Sequence, residues 1–226
     1  MLATPLTKNL DIDHVYEPAE DTFLFLDLFE SLHNSSFYKD KRNFNNDCPL
    51  VVEIGSGSGL ITTFISQHRI IPNAFHIATD INLIALENTT KTYKDNTSYP
   101  VFDVLRSNLT DAIIPGSIDV LFFNPPYVPS EHVPPLPSID DDSVWLDLAL
   151  IGGDDGMLIT RKVLSSLNRI LAVSGHAYIL FCARNNHPKV IEKFKEENLN
   201  FSVELTIQRK CGWEELAIYR FTKTKE

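Results

Sequence analysis

Residues 50–67 read LVVEIGSGSGLITTFISQ, and this stretch decides the fold. Leu50 to Ile54 is a short apolar run rich in β-branched side chains, the composition of a buried strand. It stops at Gly55. Gly55, Gly57 and Gly59 then alternate before the chain takes up helical spacing. Strand, glycine turn and helix in that order open a βαβ unit. The glycines are set as GxGxG. The dinucleotide fingerprint needs its third glycine one step later, where this chain has Leu60, and GSGSGL lacks the Gly-Lys-Ser/Thr of a P-loop.

The alternation continues outward. HIATDI (76–81) reads as a second strand, followed by the helical pattern NLIALENTTKTYK with Asn82 as N-cap. VFDVL (101–105) is a third strand and IDVLFF (118–123) a fourth, fully buried one. From Val128 to Gly153 the chain is rich in proline and acids, Glu131, Asp140, Asp141, Asp142 and Asp147 among them, and reads as a long loop over the sheet. Regular patterns return with a helix at 156–171, a strand at 176–182 and a helix at 187–198. Two closing strands follow at 201–208 and 215–222, joined by RKCGWE. Upstream, DTFLFLDLFESL (21–32) is helical.

The expected fold class is α/β, a doubly wound, mostly parallel seven-stranded Rossmann-like sheet whose last strand is antiparallel. A length of 226 residues suits a single domain, 1–226, with an N-terminal segment at 1–47 and the Rossmann-like core at 48–226. No stretch approaches the length of a membrane span, and MLATPLTKNL lacks a basic-then-apolar signal pattern, so a soluble intracellular protein without a membrane partner is expected. Cys48, Cys182 and Cys211 are scattered and without ligand spacing, so neither disulfides nor a metal site is expected. The formal charge of −10 repels a phosphate backbone and argues against nucleic acid as partner.

Ligands of such sheets lie outside the carboxyl ends of the strands. Gly55 and Gly57, lacking Cβ, let the backbone touch a ligand there, and the following helix N-terminus offers unpaired N–H groups. Asp80 ends the second strand, where it can accept from ribose hydroxyls or cap the next helix together with Asn82. Glu53 can serve the ligand or tether nearby backbone amides. At the end of the fourth strand stands Asn124-Pro125-Pro126-Tyr127. Two prolines cannot continue a paired strand. Pro126 holds Pro125 extended, so the Asn124 side-chain oxygen and the Pro125 carbonyl can converge on one –NH2 group, against which Tyr127 lies. An amide nitrogen is a poor nucleophile, so two oriented dipoles that stabilise its growing positive charge point to transfer from a highly activated electrophile such as a sulfonium methyl.

With YEPAEDT (16–22) added to EIGSGSG, Asp80 and NPPY in this order, the chain resembles the HemK/PrmC group of class I S-adenosylmethionine-dependent methyltransferases. It is more narrowly similar to the eukaryotic and archaeal branch that methylates the glutamine of the Gly-Gly-Gln loop in class 1 translation release factors. The resemblance implies S-adenosylmethionine as cofactor, bound by Tyr16, Glu20, Thr22, Glu53, Gly55, Gly57, Gly59, Asp80, Ile81, Asn108, Leu109 and Asn124. Within that set Thr22 and Glu53 lie near the methionine end, Asn108 and Leu109 flank the adenine, and YEPAEDT folds over as a lid. Asn108 stands where many relatives have Asp. The reading of YEPAEDT from its residues alone is different: Glu17, Glu20 and Asp21 place favourable negative charge at a helix N-terminus.

The resemblance further implies a release factor as protein substrate and a small zinc-binding activator subunit. The third strand, Val101 to Leu105, is the expected open edge for that subunit. Cytoplasmic location, compatible with a nuclear pool, follows from that substrate. The competing readings are an adenine-N6 methyltransferase on DNA or RNA, since a flipped base presents the same planar –NH2, and a protein-lysine methyltransferase.

Overall fold

The computed structural model describes residues 1–8, 10–40, 44, 46–140 and 143–224. Its sheet holds β1 (Leu50–Ile54), β2 (Phe75–Asp80), β3 (Phe102–Arg106), β4 (Ile118–Phe123), β5 (Leu171–Cys182), β6 (Phe201–Cys211) and β7 (Glu214–Lys223). The strand order is β3-β2-β1-β4-β5-β7-β6. β1 to β5 run parallel, while β7 lies between β5 and β6 and is antiparallel to both. This is the expected doubly wound α/β sheet with a reversed last strand.

Six helices accompany it among the described residues: α1 (Glu20–Asn34), α2 (Leu60–Gln67), α3 (Leu83–Asn96), α4 (Val144–Leu150), α5 (Leu158–Ile170) and α6 (His187–Glu197). Side chains alternate across a strand, so a central sheet buried on both faces needs continuous apolar runs. In β4, Val120 and Phe122 join the core under α1 and α2, while Leu121 and Phe123 join the core under α5 and α6. Tyr178 and Ile179 of β5 divide in the same way. Phe29 of α1 meets the rings of Phe122 and Tyr178 edge-on at 5.5 Å, which fixes α1 across the centre of the sheet.

The structure departs from the sequence reading in three places. The long loop of 128–153 contains α4, held by Trp145, which is 4% exposed and donates its indole N–H to the Asp140 carbonyl. Val128 and Ile151 also pair as a parallel bridge. Asp141 and Asp142 of that loop lie outside the described residues. β5 begins at Leu171, ahead of the expected 176, and its register to β4 shifts between Ile118 and Val120. The β6–β7 connection narrows to Gly212-Trp213, with Cys211 paired to Glu214, because Gly212 takes the positive φ of +59° that a two-residue turn needs.

The sheet order reverses between β1 and β4, where the chain winds away in both directions. Ile54 is in register with Phe123, so Gly55 and Asn124 leave the sheet side by side. A crevice at this point is where open α/β sheets hold their ligands.

Candidate active site

A cavity of about 390 Å³ opens at the β1–β4 reversal. Its floor is the turn after β1. Gly55 and Gly57 have φ of +65° and +51°, and a Cβ on Gly57 would meet nothing within 4 Å, so the backbone is bare toward the cavity. Gly59 is different. Its absent Cβ would lie 2.6 Å from the Cα of Thr89, so this glycine admits α3 against α2 and does not line the cavity.

Two acidic side chains, one tethered to the turn and one to the helix after it, also line the cavity. Asp80 accepts the Gly57 N–H at 3.0 Å on one oxygen and the Asn82 N–H at 2.9 Å on the other, while the Asn82 side chain caps α3 by accepting from the Ile84 N–H. Burial raises the Asp80 pKa against these N–H bonds, which lower it. Glu53 is 3% exposed and accepts from the Thr62 hydroxyl and, at 3.2 Å, from the Thr62 N–H. Burial pushes its pKa up to about 8; the Thr62 bonds pull the other way and the nearby Asp80 charge adds to the rise. Each acid therefore has the tether that the sequence left as an alternative, together with a place on the cavity wall.

The opposite wall is the turn after β4. Asn124, Pro125, Pro126 and Tyr127 all line the cavity. The Asn124 amide donates through Nδ2 to Oδ2 of Asp21 at 2.9 Å, and its Oδ1 is buried and has no hydrogen-bond partner among the described residues. The turn is buttressed from behind. Asn185 donates through Nδ2 to the Tyr127 carbonyl at 3.1 Å and to the Asp155 carbonyl at 2.9 Å. A Cβ on Gly152 would stand 2.5 Å from the Pro126 oxygen, and one on Gly156 would stand 2.1 Å from the Tyr127 oxygen. The Tyr127 hydroxyl donates to Glu214 at 3.3 Å. Burial, then Asp21 and Glu214, raise the Tyr127 pKa, so the phenol keeps its proton.

Tyr16, ahead of α1, and Thr22, in its first turn, also line the cavity, and Tyr16 has its pKa raised by burial and then by Asp21. Ile81, Asn108 and Leu109 border the far end, where Leu109 holds a φ of +53°, a conformation that L side chains adopt only when their surroundings impose it. Of the expected ligand residues, Glu20 and Gly59 do not line the cavity. Glu20 is exposed on the outer side of α1, where its carboxylate accepts from the Cys211 thiol at 3.8 Å.

The sequence reading missed two contributors. Asp21, 4% exposed, was assigned to helix-terminus charge, yet it reaches Asn124 across 103 positions of chain. Trp145, Leu148 and Leu150 of α4 line the cavity from a segment read as loop. The signal was present in VWLDLAL, a helical pattern lost among prolines.

The arrangement suits a nucleoside with a positive substituent. Asp80 keeps lone pairs for hydroxyls, the bare glycine backbone permits close approach, and three acids, Asp21, Glu53 and Asp80, line the cavity. The Asn124 oxygen is a buried acceptor, on a residue that lines the cavity, for which the described residues supply no donor. No group of His, Cys, Asp and Glu arranged for a metal occurs among the described residues, and no described helix is long and apolar enough to cross a membrane.

Comparisons with known proteins agree with this chemistry. The Methyltransferase small domain matches residues 42–134. The eRF1 methyltransferase catalytic subunit mtq2 of Schizosaccharomyces pombe is 34% identical, over 97% of this chain and 95% of its own length. Methyltransferase HEMK2 of Homo sapiens is 30% identical, over 93% of this chain and 90% of its own. Among solved structures, the E. cuniculi Mtq2-Trm112 complex, described as responsible for the methylation of the eRF1 translation termination factor, shares the fold. Its TM-score is 0.63 at 23% identity, over 93% of this chain and 99% of that one.

Proposed function

Because the chain belongs to the HemK/PrmC-like class I S-adenosylmethionine-dependent methyltransferases, we propose that it methylates the side-chain amide nitrogen of a glutamine in the Gly-Gly-Gln loop of a translation release factor. The observation that carries this reading is the buried, unpartnered Asn124 oxygen beside the glycine turn. A primary amide supplies the missing N–H, and Tyr127 offers its planar group a ring to lie against.

Bound S-adenosylmethionine supplies a methyl group on positively charged sulfur. Gly55, Gly57 and Asp80 would hold its nucleoside, with Ile81, Asn108 and Leu109 at the adenine and with Thr22 and Glu53 toward its methionine end. Asn124 accepts from the substrate N–H and fixes the nitrogen in line. Its oxygen dipole, and the Pro125 carbonyl beside it, stabilise the positive charge that develops on nitrogen as the bond forms. Water then takes the proton, since the alkylated amide is strongly acidic. Tyr127 keeps its own proton and serves as a wall.

The branch resemblance supports a heterodimer with a small zinc-binding activator. β3 is an edge of the sheet, and the residues expected to bind that partner, Val101 to Leu105, coincide with it to within one position. Strand addition there satisfies its open backbone groups. A release factor substrate places the work in the cytoplasm.

The test is methyl transfer from labelled cofactor by the activator complex, offered a release factor, its Gln-to-Asn variant, a histone-like peptide and an adenine oligonucleotide. Label on the release factor that is lost in the variant is the expected result. Label on the oligonucleotide alone refutes it.

A further inference from the structure

We propose that Asp21 is a positioning residue that sets the polarity of Asn124, so that the amide oxygen and not the amide nitrogen faces the substrate position. The inference rests on the reading of Asn124 as acceptor for the methylated nitrogen. A half-turn about the last bond of an asparagine side chain exchanges its oxygen and its NH2 with almost no change of shape. Packing therefore cannot choose between the two states. With NH2 inward, donor would face donor and an amide substrate would be rejected.

Asp21 makes the choice. An ionised carboxylate only accepts, so the Asn124 group that faces it at 2.9 Å must be the NH2. The carboxylate is itself pinned. Its other oxygen accepts the Thr22 N–H at 2.7 Å, with the Thr22 hydroxyl at 3.4 Å and the Tyr16 hydroxyl at 3.5 Å. Asp21 is 4% exposed in the first turn of α1, which the Phe29 contacts hold against β4 and β5. Leaving the Asn124 oxygen buried and unpaired is unfavourable, and an incoming N–H relieves it. The strained partnerless state is thus maintained by a second residue on another element.

Asp21→Asn tests this because it keeps the shape and reverses the hydrogen bonds. The Thr22 N–H still requires an acceptor, so the new amide keeps its oxygen there and turns its NH2 toward Asn124. Asn124 must then accept, and its NH2 turns into the cleft. In the activator complex, kcat should fall roughly 10²- to 10³-fold, the usual cost of removing one oriented dipole from a reacting centre. Measured at saturating cofactor, the fall in kcat should far exceed any loss of cofactor affinity that follows from removing one of the three cavity acids, and the melting temperature should not move, because amide polarity sets neither.

The double variant Asp21→Asn/Asn124→Asp returns an acceptor to the cleft: the carboxylate at 124 takes the new N–H and presents its other oxygen. It should exceed the single Asp21→Asn variant at least about tenfold, a coupling that only interacting residues show. Wild-type kcat in Asp21→Asn, a loss that follows cofactor affinity or melting temperature, or no rescue in the double variant overturns the proposal. A readout without substrate is hydrogen exchange at Asn124 Nδ2 in 15N-labelled enzyme, slow in the wild type and fast in Asp21→Asn if the contact holds; equal rates overturn it. If the wild type labels adenine instead of glutamine, the substrate reading fails while the ratios between variants still test Asp21.

Discussion

Glu53 holds a carboxyl that the fold keeps largely protonated at neutral pH, its pKa pushed from 4.5 up to about 8 chiefly by burial. Its folded value lies above its unfolded one, so the stabilisation it lends is fully present below the unfolded pKa and is lost as pH rises through about 8. Glu53→Gln should therefore gain melting temperature relative to the wild type as pH climbs from 4.5 to 8, and parallel curves would contradict this. An ammonium group at the methionine end would favour the ionised form. Cofactor binding near pH 7 should then release protons, approaching one per site, as read by calorimetry in buffers of different ionisation enthalpy, and Glu53→Gln should release fewer. Asp80→Ala should weaken cofactor binding by roughly 1–3 kcal/mol, since the Gly57 and Asn82 N–H groups lose their acceptor. Asn124→Ala should instead lower kcat with little change in cofactor affinity, and equal affinity losses in both would reject this division. At this scale the place of Glu53, Asp80 and Asn124 on the cavity wall was legible because each stands at, or one position from, the carboxyl end of a parallel strand. Asp21 was not, because a contact over 103 positions leaves no local pattern.

The turn after β4 depends on elements far from it in sequence. Gly152 has no positive φ, yet a side chain there would strike the Pro126 and Gly156 carbonyls, both at 2.5 Å. Gly152→Ala should displace the NPPY turn and cut kcat at least about tenfold, as expected when a reacting group moves by a fraction of an ångström to an ångström. Gly57→Ala faces open space and should act through backbone strain of about 1–3 kcal/mol and through cofactor affinity. Similar kcat and affinity profiles for the two would contradict the account. The IGGDDG run at 151–156 carried this signal, but a glycine pair does not disclose which backbone it admits. α4 escaped for a related reason: two turns of helix give too short a period to stand out beside prolines. β3 was legible as an edge from the strand order alone. Amides in Phe102–Arg106 should gain hydrogen-exchange protection in the activator complex, while β6 at the other edge should not.

Across the whole molecule, alternation of strands and helices specified the layers, because the apolar runs of β1, β4 and β5 are buried on both faces. The insertion of β7 between β5 and β6 was not specified, since antiparallel pairing of the last two strands leaves open which of them joins the sheet. A net charge of −10 fits a protein substrate better than a phosphate backbone. The central claim is that the crevice between β1 and β4 presents a buried oxygen to a planar amide beside a methyl donor. Its most direct test is tandem mass spectrometry of a release factor after incubation with the activator complex and S-adenosylmethionine. The account predicts one added methyl on the side chain of the Gly-Gly-Gln glutamine, absent with Asn124→Ala; a methyl found on lysine, with that glutamine unmodified, would contradict it.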